Sequence, residues 1–251
     1  MATPVLDRAP RRSAQCPSAP HLGRLLEWPF LGAGLAAGWG AATLAVWLVL
    51  PAPMLAAWVQ EGARVESATV ALYGLALLAL AGSGRAVGDG RTRAALAVAV
   101  GVLMAREMDL HLRWTGHSVL KGSFYLGDAP AWQKIAAAST LLALSVPVAW
   151  LVIKHGPAIR RRLKQLQPPA VTVATWVVVL LLSKVLDRSV GLILDAGMAV
   201  PATAHQLVQW IEETLELALP LLIALAFVQQ RHRLRDRRDR NRPPRGIQER
   251  T

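Results

Sequence analysis

Apolar residues along this 251-residue chain gather in long blocks rather than at alternating positions. Blocks of roughly 18–22 residues match the length needed to cross about 30 Å of hydrocarbon at about 1.5 Å per residue. Residues 31–50, 66–84, 133–153, 170–190 and 209–230 form such blocks. A further apolar run, Ala94 to Ala105, crosses only if its helix continues through Arg106, Glu107, Asp109 and His111. Pro51 and Pro53 close the first block, and Pro147 predicts a kink in the fourth. A span must satisfy its own backbone hydrogen bonds, so the pattern predicts an all-α polytopic bundle of about six transmembrane helices.

The first block carries Gly32, Gly34, Gly38 and Gly40, which predict close helix packing. Outside the bundle, residues 1–28 read as a cytoplasmic basic arm and residues 231–251 as an Arg-rich cytoplasmic tail, both without fixed structure. The transmembrane domain is then 29–230. The connection over 112–131 is rich in Gly, Ser and aromatics. Its Trp114, Phe124 and Tyr125 suit an interfacial anchor, with His117, Ser118, Lys121 and Ser123 alongside.

Charge sets the orientation. Of the 28 Lys and Arg residues, all but Arg64, Arg106, Arg113, Lys121, Lys134, Lys184 and Arg188 lie in four segments: the N-terminal arm, 85–93, 154–164 and the tail. An even number of spans places all four segments on one side, which the positive-inside rule makes the cytoplasm. Both termini are therefore expected inside, in a multi-pass protein of the cell's inner (plasma) membrane.

Composition narrows the class. The chain is 53% hydrophobic with a formal charge of +12. The excess sits beside the spans, where it suits anionic lipid at about 1 kcal/mol per basic residue near the surface. No folded module accompanies it, so nucleic acid is not the expected partner. The expected surroundings are the bilayer itself and anionic lipid at the cytoplasmic tail, with any protein partner left open. Cys16 is the lone cysteine, which excludes an internal disulfide. The first apolar block is long enough to span, so it reads as a helix rather than a cleaved signal.

Ionisable residues recur at one height. Counted from the cytoplasmic end of each span, Glu107, Lys184 and Glu216 lie about 20 Å deep, and Asp187 and Glu212 near 25 Å, at about 1.5 Å per residue. Glu212 and Glu216 share a helix face, as would Glu107 and His111 on a continuous helix, and Lys184, Asp187 and Arg188 form one patch. A charge deep in lipid costs about 2.5–3.5 kcal/mol, which pairing inside the bundle avoids. Snorkelling to the headgroups and a purely structural salt-bridge network are the bland alternatives.

Several chemistries remain open. Glu107, His111, Glu212 and Glu216 offer carboxylate and imidazole ligands to a divalent metal ion, although the Glu-x-x-His spacing of carboxylate-bridged bundle sites is missing. The same residues can act as acid and base, with Lys184, Asp187 and Arg188 completing the site and the two cations suiting an anionic group such as a lipid phosphate. A small membrane enzyme acting on a lipid-like substrate is the leading expectation. Proton or solute transport and a non-catalytic assembly subunit are the rivals. The sequence contains no HExxH, CxxC, nucleophile elbow or phosphate-binding Gly-rich loop.

Overall fold

The computed structural model describes residues 20–59, 64–83, 87–116, 119 and 122–240. Among them all regular structure is helical: α1 Pro20–Leu26, α2 Leu31–Val49, α3 Ala52–Val59, α4 Arg64–Gly82, α5 Gly90–Glu107, α6 Leu110–Thr115, α7 Gly122–Leu126, α8 Ala131–Lys164, α9 Pro168–Asp195 and α10 Ala202–Arg240. Four of these, α2, α4, α8 and α9, are long and apolar enough to cross a membrane. The long helices α5 and α10 match the remaining two apolar blocks and bring Arg106, Glu107, Glu212, Glu213 and Glu216 with them.

Local chemistry sets the helix ends. Leu50 turns extended ahead of Pro51 and stops α2. The Asp89 side chain accepts the Thr92 amide at 2.9 Å and caps the start of α5. Pro168 opens α9, where its missing N–H costs nothing.

Helix α10 is the axis of the bundle. It packs against α9, α4 and α2, and α4 in turn holds α5. Tyr73, Val100, Val179, Leu215, Leu219 and Leu222 form a buried core where α4, α5, α9 and α10 meet. Leu55, Val65 and Trp210 form a smaller core under α3. By contrast α8 touches only the flanks of α5 and α9 and has no buried residue, so its apolar surface is open on nearly all sides. Pro220 lies fully buried within α10. Having no N–H, it deprives the Glu216 carbonyl of its helical partner four residues on.

The structure adds to or corrects the sequence expectations at four points. Only Gly32 makes a close helix approach: a Cβ there would sit 2.7 Å from Thr172 Oγ1, whereas Gly38 and Gly40 have nothing within 4 Å and Gly34 meets Trp28 of the preceding loop. The tail is helical from Arg231 to Arg240, because α10 runs on past its apolar stretch, and the arm contains α1. The 112–131 connection holds two short helices, α6 and α7. Lastly, α5 does not continue through His111. It ends at Glu107, and Asp109 takes a left-handed backbone (φ 47°), one of the few side chains that tolerate it, before α6 begins.

Candidate functional site

Glu216 is the centre of the site. It projects from α10 into the bundle with 5% of its surface exposed. Its Oε1 accepts from Arg106 Nη1 of α5 at 3.1 Å, Ser183 Oγ of α9 at 3.0 Å and Lys184 Nζ of α9 at 2.5 Å. Arg106 Nη1 also donates to Glu107 Oε1 at 3.1 Å. Two buried carboxylates from different helices thus share one guanidinium nitrogen. Lys184 lies a further 3.9 Å from Glu212, one turn before Glu216 on α10.

The sequence explains how the elements deliver these groups. Glu212 and Glu216 are four apart, so one face of α10 presents both. Ser183 and Lys184 are adjacent on α9, with Ser183 fully buried and Lys184 at the edge of the same face. Arg106 and Glu107 are the last two residues of α5. An ion pair in a low-dielectric layer is held by the cost of separating it, and the Glu216 Oε1 has three donors, two of them cationic.

The environment is lopsided. The Tyr73, Val100, Val179, Leu219 and Leu222 core lies directly along the helices on the side away from the ends of α5 and α9. Arg106 and Lys184 keep about a third of their side-chain surface open, and Glu212 keeps 18%. Tyr73 closes the core side. It is 0% exposed, and its hydroxyl has no hydrogen-bond partner among the described residues while lying in the field of Glu107, Glu216 and Arg106.

Of the sequence candidates, Glu107, Glu216, Lys184 and Glu212 come together. Asp187 and Arg188 are both exposed on α9 one turn beyond Ser183 and Lys184, and no ion pair joins either to the cluster among the described residues, although the Asp187 charge lies close enough to act on Glu212 and Arg106. His111 belongs to α6, across the break at Asp109, so the spacing of four no longer sets it beside Glu107; its side chain lies outside the described residues. His117, Ser118 and Lys121 also lie outside them, as does the Ser123 side chain.

Sequence reasoning missed Ser183 and the bridging role of Arg106. A buried serine has no signal in a hydropathy profile, and residue spacing does not show which carboxylates an arginine side chain reaches. Among the described residues no group of three or more His, Cys, Asp or Glu is arranged to hold a metal ion. The Glu216 oxygen that would serve as a ligand is already met by two cations.

A second polar group joins α5 to α8. Lys154 Nζ is 3.0 Å from Asp89 Oδ2 and 3.3 Å from Thr92 Oγ1, Thr92 Oγ1 lies 3.2 Å from His155 Nε2, and Lys154 stands 4.4 Å over the Trp150 ring. Hydrogen bonds from Thr92 and Lys154 hold the Asp89 carboxyl well below the usual carboxylate range. A third pair lies deep between α9 and α10, where Thr172 donates to Gln229 Oε1 at 2.8 Å with both residues fully buried.

No relative decides what this arrangement does. Comparison with known proteins found no matching family model, no similar curated protein and no similar solved structure. The functional reading rests on the geometry of the site.

Proposed function

We propose that the chain is a six-span protein of the inner membrane, both termini cytoplasmic, whose Arg106–Glu107–Lys184–Glu216 cluster is an acid–base site for a lipid-like substrate. Four helices long and apolar enough to cross, α5 and α10 lying over the other two apolar blocks, and the one-sided distribution of basic residues support that topology, with α5 the shortest of the six at Gly90–Glu107. The basic C-terminal end of α10 then rests against anionic lipid.

The observation that carries the enzyme reading is the one-sidedness of the cluster. In the proposed topology the apolar core of Tyr73, Leu219 and Leu222 lies on the cytoplasmic side of Glu216, and Arg106, Lys184 and Glu212 keep part of their side-chain surface open. A conduction path needs polar groups on both sides, whereas a reaction site needs one entrance. In this reading Glu216 is fixed by its three donors and sets the local field. Glu107, with a single ion pair to Arg106, is the carboxyl that exchanges a proton with the substrate headgroup. Metal chemistry is not part of the proposal.

The test is conversion of a membrane-lipid mixture by the protein in nanodiscs, followed by mass spectrometry. Wild type is expected to change one lipid class, and Glu107→Gln to stop it while keeping the melting temperature. Proton or solute flux in liposomes, lost in the same variant, would overturn the reading in favour of transport. Reporter fusions at the two termini check the topology, with both expected on the cytoplasmic side.

A further inference from the structure

At the far end of α9 and α10 from Glu216, a cation is held without an acid to match it. Arg233 of α10 is half-buried, and its Nη1 donates to Gln167 Oε1 at 2.7 Å. Gln167 is fixed in turn. Its Nε2 donates to Gln165 Oε1 at 2.6 Å, and its backbone N–H donates to the Arg162 carbonyl at 3.0 Å. The 165–167 connection turns the chain from α8 into α9 through Leu166, whose left-handed backbone (φ 48°) is unfavourable for leucine. A neutral amide therefore sets the direction of the guanidinium and leaves its charge uncancelled.

Among the described residues no carboxylate forms an ion pair with Arg233. Asp236 is paired with Arg240 at 2.6 Å. Arg237 follows Arg233 by one turn, so the two share a face of α10. Arg162 stands in the last turn of α8, bonded through its carbonyl to Gln167. Burial first, and then the charges of Arg237 and Arg162, push the Arg233 guanidinium below its ordinary range, with Glu27 acting the other way. An anion at this point relieves the crowding. An arginine fork has several N–H donors, and Gln167 takes one of them.

A second observation sets the height and the kind of ligand. Gly32, at the start of α2, packs on Thr172 in the first turns of α9. Just ahead of α2, Trp28 and Phe30 are exposed, as are Leu25 of α1 and Leu166 of the connection. Helix α1 lies against α10 beside Arg233: a Cβ on Gly23 would sit 3.3 Å from His232 Nε2. Exposed aromatics where a span begins mark the headgroup layer. Open apolar side chains next to arginines suit a ligand that is both anionic and amphiphilic.

We infer that Arg233, held on Gln167, binds the phosphate headgroup of an anionic membrane lipid, with Arg162 and Arg237 beside it. Charge along the tail gives only a diffuse attraction. Here one guanidinium is aimed by a neutral partner, and its fork suits two phosphate oxygens. The inference goes beyond the acid–base reading and does not depend on it, because this lipid is held rather than converted, at the opposite end of the bundle.

The test titrates the full chain in detergent with dioleoyl phosphatidylglycerol, dioleoyl phosphatidylcholine and inorganic phosphate, and counts bound lipid by native mass spectrometry. Wild type is expected to retain phosphatidylglycerol at about a tenth of the concentration needed for phosphatidylcholine. Arg233→Gln is expected to weaken retention about tenfold, as loss of hydrogen bonds to a charged group does. Arg238→Gln, exposed on the same helix and equal in charge change, is expected to leave it about unchanged. Gln167→Leu removes no charge, yet about fivefold weaker retention is expected because the guanidinium loses its direction. That variant carries the test should Arg233→Gln fail to fold. Equal losses in Arg233→Gln and Arg238→Gln, or wild-type retention by Gln167→Leu, reduce the site to diffuse attraction and overturn the inference. Equal retention of the two lipids overturns it too. Displacement of the lipid by inorganic phosphate at comparable concentration would assign the site to a free anion instead.

Discussion

Lys184 on α9 and Glu216 on α10 form a contact at 2.5 Å, and the residue before Lys184, Ser183, donates to the same oxygen. Two neighbouring residues of one helix therefore grip one atom of another. The grip ties the helix with the longest shared interface to the axis of the bundle, at the height where α5 ends.

Removing the acceptor is expected to cost more than removing any one donor. Glu216→Leu leaves Arg106 and Lys184 without their partner and Ser183 without its acceptor. Breaking a buried pair costs about 3–5 kcal/mol, and the partial exposure of both cations places this variant at the low end. Ser183→Ala should cost about 1–2 kcal/mol. Thermal unfolding in detergent measures both, and a smaller shift for Glu216→Leu than for Ser183→Ala would contradict the clamp.

Close approach of α2 and α9 is expected to depend on Gly32 alone. A Cβ at Gly32 would meet Thr172 Oγ1 at 2.7 Å and its Cα at 3.1 Å, so Gly32→Ala must push the helices apart. Overpacking of this kind costs about 1–3 kcal/mol. Gly38→Ala, with open space around it, should be neutral or slightly stabilising through helix propensity. Melting temperatures of the two variants check the contrast.

The Asp89 cap is expected to respond to acid with a defined sign. Its folded carboxyl is held below its ordinary value by Thr92 and Lys154, so its contribution is complete above that ordinary value, about 3.9. The contribution is lost as pH falls through the lower folded value. The Thr92 amide resonance, which reports the 2.9 Å cap bond, should therefore titrate only in strong acid. Asp89→Asn should abolish that titration, and a midpoint at the ordinary carboxylate value would show that the Lys154 contact is not formed in solution.

The Thr172–Gln229 pair is expected to be non-additive. Thr172→Val leaves the Gln229 amide wholly unpaired, since its nitrogen already lacks a partner among the described residues. About 1–2 kcal/mol is expected for either single change. Replacing both, Thr172→Val with Gln229→Met, removes the polar need along with the partner and should be nearly neutral. A double variant as unstable as the sum of the singles would refute the coupling.

Much of this architecture can be read along the chain because lipid demands long apolar runs, and such runs are visible without knowing their neighbours. The proline stop at Pro51, the proline start at Pro168 and the Asp89 cap are local events with local signals. The shared height of Glu107, Lys184, Glu212 and Glu216 follows from counting residues, since the rise of a helix is constant. The break at Asp109 does not follow, because a left-handed aspartate is decided by how α5 and α6 are seated rather than by its neighbours in sequence. Nor does counting show that Arg106 reaches across to α10, which depends on the direction of a long flexible side chain. The exposure of Asp187 and Arg188 is also a matter of neighbours: they follow Ser183 and Lys184 by one turn, but nothing covers them there, while Val190 beyond them is buried again.

The missing rung at Pro220 falls inside the longest helix, four residues after Glu216. Above it stands the portion gripped by α5 and α9 through Glu216; below it runs the arginine-rich shaft. A rod with an intact ladder would carry any tilt of its upper end down to its basic foot. Here one rung is missing just below Glu216, at the level where α5 and α9 hold the helix by its side chains.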